Sequence, residues 1–177
     1  MKLSENIIEW IKDIAIAVLA AILILQFIQP TIVQEHSMEN TLHENDYVFV
    51  SKQSYKIFGS PQRGDIIVFN SALTTVSGSK KMLVKRIIGL PGDTVEIKKG
   101  VVYVNGDPVD ETYTKDGYTA TEMDAVKVSS NHLFVMSDNR QNSADSRSES
   151  IGQVSLDDVV GKVVLRAFPF NAFGKVE

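Results

Sequence analysis

From Ile14 to Ile28 the chain runs for fifteen residues without a charge, and Gln26 is the only strongly polar member. As a helix this stretch is about 22 Å long, short of the roughly 30 Å hydrocarbon core of a bilayer. A membrane span must therefore take in Ile7 to Ile11 or the tail through Val33, or thin the bilayer. Ile7, Ile8 and Ile11 share one helix face, and Trp10 suits the headgroup level. Pro30 is expected to end or kink the helix. The spacing predicts a transmembrane helix over about residues 7–29, within an anchor of residues 1–33. A cleaved signal peptide has an apolar core of similar length, and a small-residue cleavage site should then follow it. Here Ala15, Ala17, Ala20 and Ala21 lie inside the run, and Gln29 to Glu35 contains no A-x-A pattern. The sequence favours an uncleaved anchor. Lys2 and Lys12 are offset by Glu5, Glu9 and Asp13, so flanking charge sets no orientation.

The remaining residues, 34–177, are near the commonest size of one domain. With 18 basic and 22 acidic residues the net charge is -4, which argues against a nucleic-acid partner. There is no cysteine, so disulfides, thiolate metal sites and a cysteine nucleophile are excluded. His36, His43 and His132 show no metal-ligand spacing, and neither a metal nor another cofactor is expected. His36 is adjacent to Ser37, and neighbouring side chains on an extended segment point to opposite faces.

The body reads as mainly β. Tyr47–Val50, Asp65–Phe69, Met82–Leu90, His132–Met136 and Val159–Phe168 have strand composition. Thr94–Ile97 and Val101–Val104 flank Lys98-Lys99-Gly100 as a hairpin, and Asn105-Gly106 supplies a second tight turn. Thr112–Ser130 is polar and patternless and reads as a loop or flap. Turn signals every ten residues or so predict coiled antiparallel sheets or a partial barrel.

Three stretches carry candidate chemistry. Ser37 follows the apolar run by a few residues, and an extended chain covers at most about 3.3–3.6 Å per residue. On a membrane-anchored chain it is therefore held near the lipid; it reads either as a linker serine or as a nucleophile. Serine needs a base. Lys85 lies between Leu83 and Ile87 on one strand face, where burial lowers a lysine pKa and lets the neutral amine accept a proton. The alternative is a lysine that snorkels at a strand edge. Lys80 and Lys81, in a Ser/Gly-rich turn, read as solvated. The stretch Met136–Arg147 is rich in short donors and acceptors, and suits either a solvated loop or one that orients a lysine and braces itself by ion pairs.

Ser37-Met38-x-x-Thr41-Leu42, Arg63-Gly64-Asp65-Ile66, Val84-Lys85-Arg86-Ile87-Ile88-Gly89-Leu90-Pro91-Gly92-Asp93 and Asp138-Asn139-Arg140 with Ser143-x-Asp145-Ser146-Arg147 together resemble the conserved boxes of bacterial type I signal peptidases. Order and spacing correspond from about Glu9 to Phe170. The resemblance implies a single-pass plasma-membrane endopeptidase whose β-rich catalytic domain, residues 34–177, lies on the extracytoplasmic side. Its partners would be preproteins carrying signal peptides, membrane lipid and, functionally, the secretion machinery. By the same resemblance Ser37 is the nucleophile, Lys85 the general base and Ser143 the group that orients the lysine. Asp145, with Arg147 and Arg86, braces the site, and Met38 sits near the membrane-facing edge. The chain departs from the family pattern in having Glu35 where Gly or Ser is common, Asn40 where Pro is common, and Ser137 where Gly is common. Glu35 leaves the Ser37 backbone N–H as the expected oxyanion donor, and Ser137 adds a Cβ where backbone would pass close to substrate. Two rival readings are a self-cleaving Ser-Lys repressor-type protease, which would lack the anchor, and a membrane-tethered non-catalytic β module or degenerate peptidase homologue.

Overall fold

A computed structural model describes residues 2–55, 57 and 59–176, the first five of these as backbone only. The apolar run forms most of one long helix, α1 (Lys2–Phe27). From residue 7 onward its apolar side chains are exposed on every side; Trp10 is 73% exposed and Leu19 59%. Among the described residues, no helix is long and apolar enough to cross a membrane. The charge-free part of α1, Ile14 to Phe27, is about 21 Å long against a hydrocarbon core of about 30 Å.

The helix stops two residues earlier than its hydropathy suggests. Ile28–Ile32 is a strand, β1, antiparallel to β2 (Tyr47–Ser51), with Pro30 opposite Phe49. Proline is tolerated there because β1 is an end strand, one edge of which makes no ladder bonds. The end of the expected anchor is thus woven into the sheet of the body.

The body is mainly β, and every strand pairing in it is antiparallel. Its further strands are β3 (Ile66–Thr74), β4 (Lys80–Gly89), β5 (Thr94–Lys98), β6 (Val101–Val104), β7 (Asp107–Pro108), β8 (Met123–Lys127), β9 (His132–Met136), β10 (Val154–Ser155), β11 (Val159–Phe168) and β12 (Gly174–Lys175). The large sheet runs β1-β2-β11-β3-β4-β9-β10, with β12 on β11, and the small one β7-β6-β5-β8. The large sheet is open, not a closed barrel, with β1 and β10 as end strands. Register shifts in β11 beside β2 bend it.

Both expected turns are present. Lys99 and Gly100 have φ of 50° and 80°, and Asn105 and Gly106 of 56° and 90°, the positive pairs that a two-residue hairpin of matching twist requires. Thr112–Ser130 is not wholly a loop, since β8 pairs with β5 inside it. Met123-Asp124-Ala125-Val126-Lys127 is a half-exposed outer strand, so burial imposes no apolar alternation on it.

The strands β3 and β4 are covered on both faces. Ile66 and Val68 join a core with Met38, Leu42 and Val48, while Ile67 and Phe69 join another with Leu83, Ile87 and Val135. Ile88 belongs to a third core with Val95 and Phe134, which links the small sheet to the large one.

Candidate active site

Strand β4 carries Lys81, Leu83, Lys85 and Ile87 on one face by simple alternation. Leu83 and Ile87 are buried, and Lys85 between them is 1% exposed. Its ammonium end reaches Ser37, with Lys85 Nζ 2.7 Å from Ser37 Oγ. Burial is the main cause that pulls Lys85 down from 10.5 to about 8; Asp145, Glu35 and Asp138 oppose it, and Lys81 adds to it. Among these causes, the like charge that adds to the depression is Lys81, on the same strand face.

Ser37 sits in a single 3₁₀ turn, His36–Met38. Met38 anchors that turn: it is 1% exposed, packs in the core with Leu42, and lines the groove beside the site. The turn is closed by Thr41 N–H and Leu42 N–H donating to the Met38 carbonyl at 2.9 and 2.7 Å. Asn139 straps it from the other side, its backbone N–H donating to the Ser37 carbonyl at 3.0 Å and its Nδ2 to the His36 carbonyl at 3.0 Å. His36 points its Nδ1 at Glu39 Oε1, 2.6 Å away, and is largely exposed.

Behind the pair lies a layer of ion pairs. Asp145 accepts from Arg147 Nε and Nη2, both at 2.8 Å, and from the Ser137 backbone N–H at 2.9 Å. Arg86 pairs instead with Asp138, through Nε at 2.9 Å and Nη2 at 2.7 Å, and both side chains are buried. It also donates to the Gly64 carbonyl at 2.9 Å and to Thr41 Oγ1 at 3.1 Å. Thr41 in turn donates to Asp138 at 2.6 Å. Arg140 reaches the Ser137 carbonyl at 2.8 Å, Thr119 at 2.7 Å and Glu111 at 2.8 Å. Buried bidentate pairs of this kind fix orientation as well as charge. The expected bracing role of Asp145 with Arg147 thus has a direct contact; for Arg86 the partner is Asp138. That acid and Thr41 lie inside the sequence motifs, but nothing in the pattern says which acid takes which arginine.

Ser143 lines the cleft at Lys85, and its Oγ donates to the Asn139 carbonyl at 2.8 Å, not to the lysine. Ser137 is fully buried, so its Cβ lies in the interior and not against a bound chain. Glu35 forms an ion pair with Lys81 across the mouth of the site. The cleft at Lys85 holds about 360 Å³. A groove of about 570 Å³ adjoins it, running between the β1 segment and the first half of β4. Among the described residues, no three His, Asp or Glu side chains are grouped to hold a metal ion.

Residues 7–168 match the family described as signal peptidase, peptidase S26. Signal peptidase I S of Bacillus subtilis is 42% identical over 97% of this chain and 94% of its own length. Signal peptidase I of Bacillus amyloliquefaciens is 40% identical over 97% and 93%. A crystal structure of a signal peptidase I from Enterococcus faecalis, 31% identical, covers 59% of this chain and 97% of its own, with a TM-score of 0.48.

Proposed function

The chain belongs to the signal peptidase family, peptidase S26, and from that premise we propose that Ser37 is its nucleophile and Lys85 its general base. It is a type I signal peptidase, a serine peptidase that removes signal peptides from preproteins. The observation that carries the assignment is the 2.7 Å contact between Lys85 Nζ and Ser37 Oγ, made by a lysine whose burial favours the neutral amine.

In the first half-reaction neutral Lys85 takes the Ser37 proton as Oγ bonds to the scissile carbonyl carbon. The backbone N–H of Ser37 donates to the resulting oxyanion. The Lys85 ammonium then gives its proton to the departing amine, leaving an ester on Ser37. In the second half Lys85 takes a proton from water, whose oxygen attacks the ester carbonyl. Collapse releases the peptide acid, and Ser37 Oγ recovers its proton from Lys85. Ser143 is a positioning residue: it fixes the turn at Asn139, whose N–H groups hold the nucleophile. Asp145 with Arg147, and Arg86 with Asp138, keep that turn and β4 in register. Met38 seats the turn on the core.

The α1 helix serves as the membrane anchor, with the body on the extracytoplasmic side. A helix that exposes apolar side chains all round is suited to lipid. Ile7 to Ile11 and Trp10 supply the interfacial length that the charge-free part lacks. The anchor ends at Phe27, since β1 belongs to the catalytic sheet, and the active site is thereby tethered near the membrane where a preprotein presents its cleavage region.

Incubating the detergent-solubilised protein with a preprotein, beside Ser37→Ala and Lys85→Arg, tests the pair. Guanidinium stays protonated at any usable pH, so both variants are expected to fold and to lose about 10⁴-fold or more in kcat/KM. Substantial turnover by Lys85→Arg would refute lysine as the base.

A further inference from the structure

Ser37–Lys85 is one of two side-chain rungs between the same two segments. Two residues before Ser37 stands Glu35, and four residues before Lys85, on the same face of β4, stands Lys81. Their side chains form an ion pair. Glu35, Ser37, Lys81 and Leu83 line both the cleft at the base and the groove that adjoins it, so the outer rung stands where those two spaces meet. Each member is nearly half exposed. An exposed ion pair contributes only about 0–1 kcal/mol to stability, so this one does little for the fold. Its place matters because it lies beside a buried amine that must be neutral to work.

The charged groups around Lys85 come from every element packed on it. Asp145 and Asp138 belong to the loop after β9 and are neutralised by Arg147 and Arg86. Lys81 is on its own strand, Glu35 is on the nucleophile segment, and His36 lines the same cleft. Of these, Glu35 and Lys81 have no further ion-pair partner among the described residues, so each balances the other alone. We propose that Glu35 and Lys81 are positioning residues of the peptidase reaction: as a mutually neutralised pair they hold the charge balance around Lys85, and removing either one moves the pH range of cleavage. The inference rests on Lys85 acting as the base. The two charges act on the amine in opposite senses, Glu35 favouring its protonated form and Lys81 its neutral form. They are set back from it and partly solvated, so each effect is modest.

The test is the pH dependence of kcat/KM for preprotein cleavage by the detergent-solubilised full chain, wild type beside Glu35→Gln, Lys81→Met and the double variant. Glu35→Gln is expected to move the acid limb down by about half a pH unit and Lys81→Met to move it up by about as much. The double variant is expected to return close to wild type, and 1 M salt to shrink both shifts, since the screening length is then about 3 Å. Single-variant limbs that coincide with wild type, or that move in the same direction, would overturn the proposal. A Lys85→Arg control separates the two levels: turnover by that variant overturns the base assignment and this inference together. An inactive Lys85→Arg with unmoved limbs overturns this inference alone.

Discussion

Lys85, proposed as the base, meets two opposed demands: the core buries it between Leu83 and Ile87, and the proposed reaction needs it without its charge. Lowering its pKa from 10.5 to about 8 corresponds to about 3 kcal/mol of stability forgone at neutral pH. The sign follows from proton counts. Between about 8 and 10.5 the unfolded chain holds a lysine proton that the folded chain has released, so stability rises with pH across that window. The penalty is complete below about 8 and absent above 10.5. Lys85→Met is therefore expected to raise the melting temperature at pH 7, by the equivalent of about 2 kcal/mol once the lost hydrogen bond is allowed for. It should also flatten the rise in stability between pH 8 and 10.5 while abolishing cleavage. A Lys85→Met protein that melts no higher than wild type at pH 7 would contradict this. The burial of Lys85 was legible in sequence because its two apolar flanks share its strand face. The part played by Lys81 was not, because a lysine beside a Ser/Gly turn gives no sign of the acid it will meet across a cleft.

Among elements, β4 and the loop after β9 divide the work. Alternation sends Lys85 to Ser37 and Arg86 to the opposite face, where Asp138 holds it. The loop then supplies Asn139 to the serine turn and Asp145 to Arg147. Asp145→Asn removes the one carboxylate that, among the described residues, pairs with the Arg147 guanidinium, which is 8% exposed. It is expected to destabilise the fold by about 3 kcal/mol, read in a urea titration; an unchanged midpoint would rule out the brace. Ser143→Ala frees the Asn139 carbonyl and is expected to lower kcat about tenfold with KM nearly unchanged, because the substrate groove is left intact. Equal kcat values would remove Ser143 from the positioning network. The hairpins at Lys99-Gly100 and Asn105-Gly106 were legible because positive φ demands particular residues. The strand β8 and the helix end at Phe27 were not, because pairing with a distant neighbour, and not local pattern, decides both.

For the whole molecule, one open antiparallel sheet takes its end strand from the residues that follow α1. Hydropathy assigns Ile28–Ile32 to the anchor, yet those residues pair with β2, so the segment that follows the helix is part of the body's sheet. Loss of residues 1–33 would strip β1 and leave the edge of β2 uncovered. The membrane-extracted protein is accordingly expected to show an intact mass that includes the N-terminal helix. A mature chain beginning near residue 34 would contradict both the anchor and the place of β1 in the working enzyme.

The pH profile of kcat/KM between about pH 5.5 and 10, for the wild-type full chain acting on a preprotein, tests the central claim most directly, because it reports the essential groups of the free enzyme. A neutral buried lysine acting as base gives a rise through a single ionisation near the value of about 8 that its surroundings impose. A profile that is flat across that range, or that rises near 6.5 as a histidine would make it, would show that Lys85 is not the group that takes the serine proton.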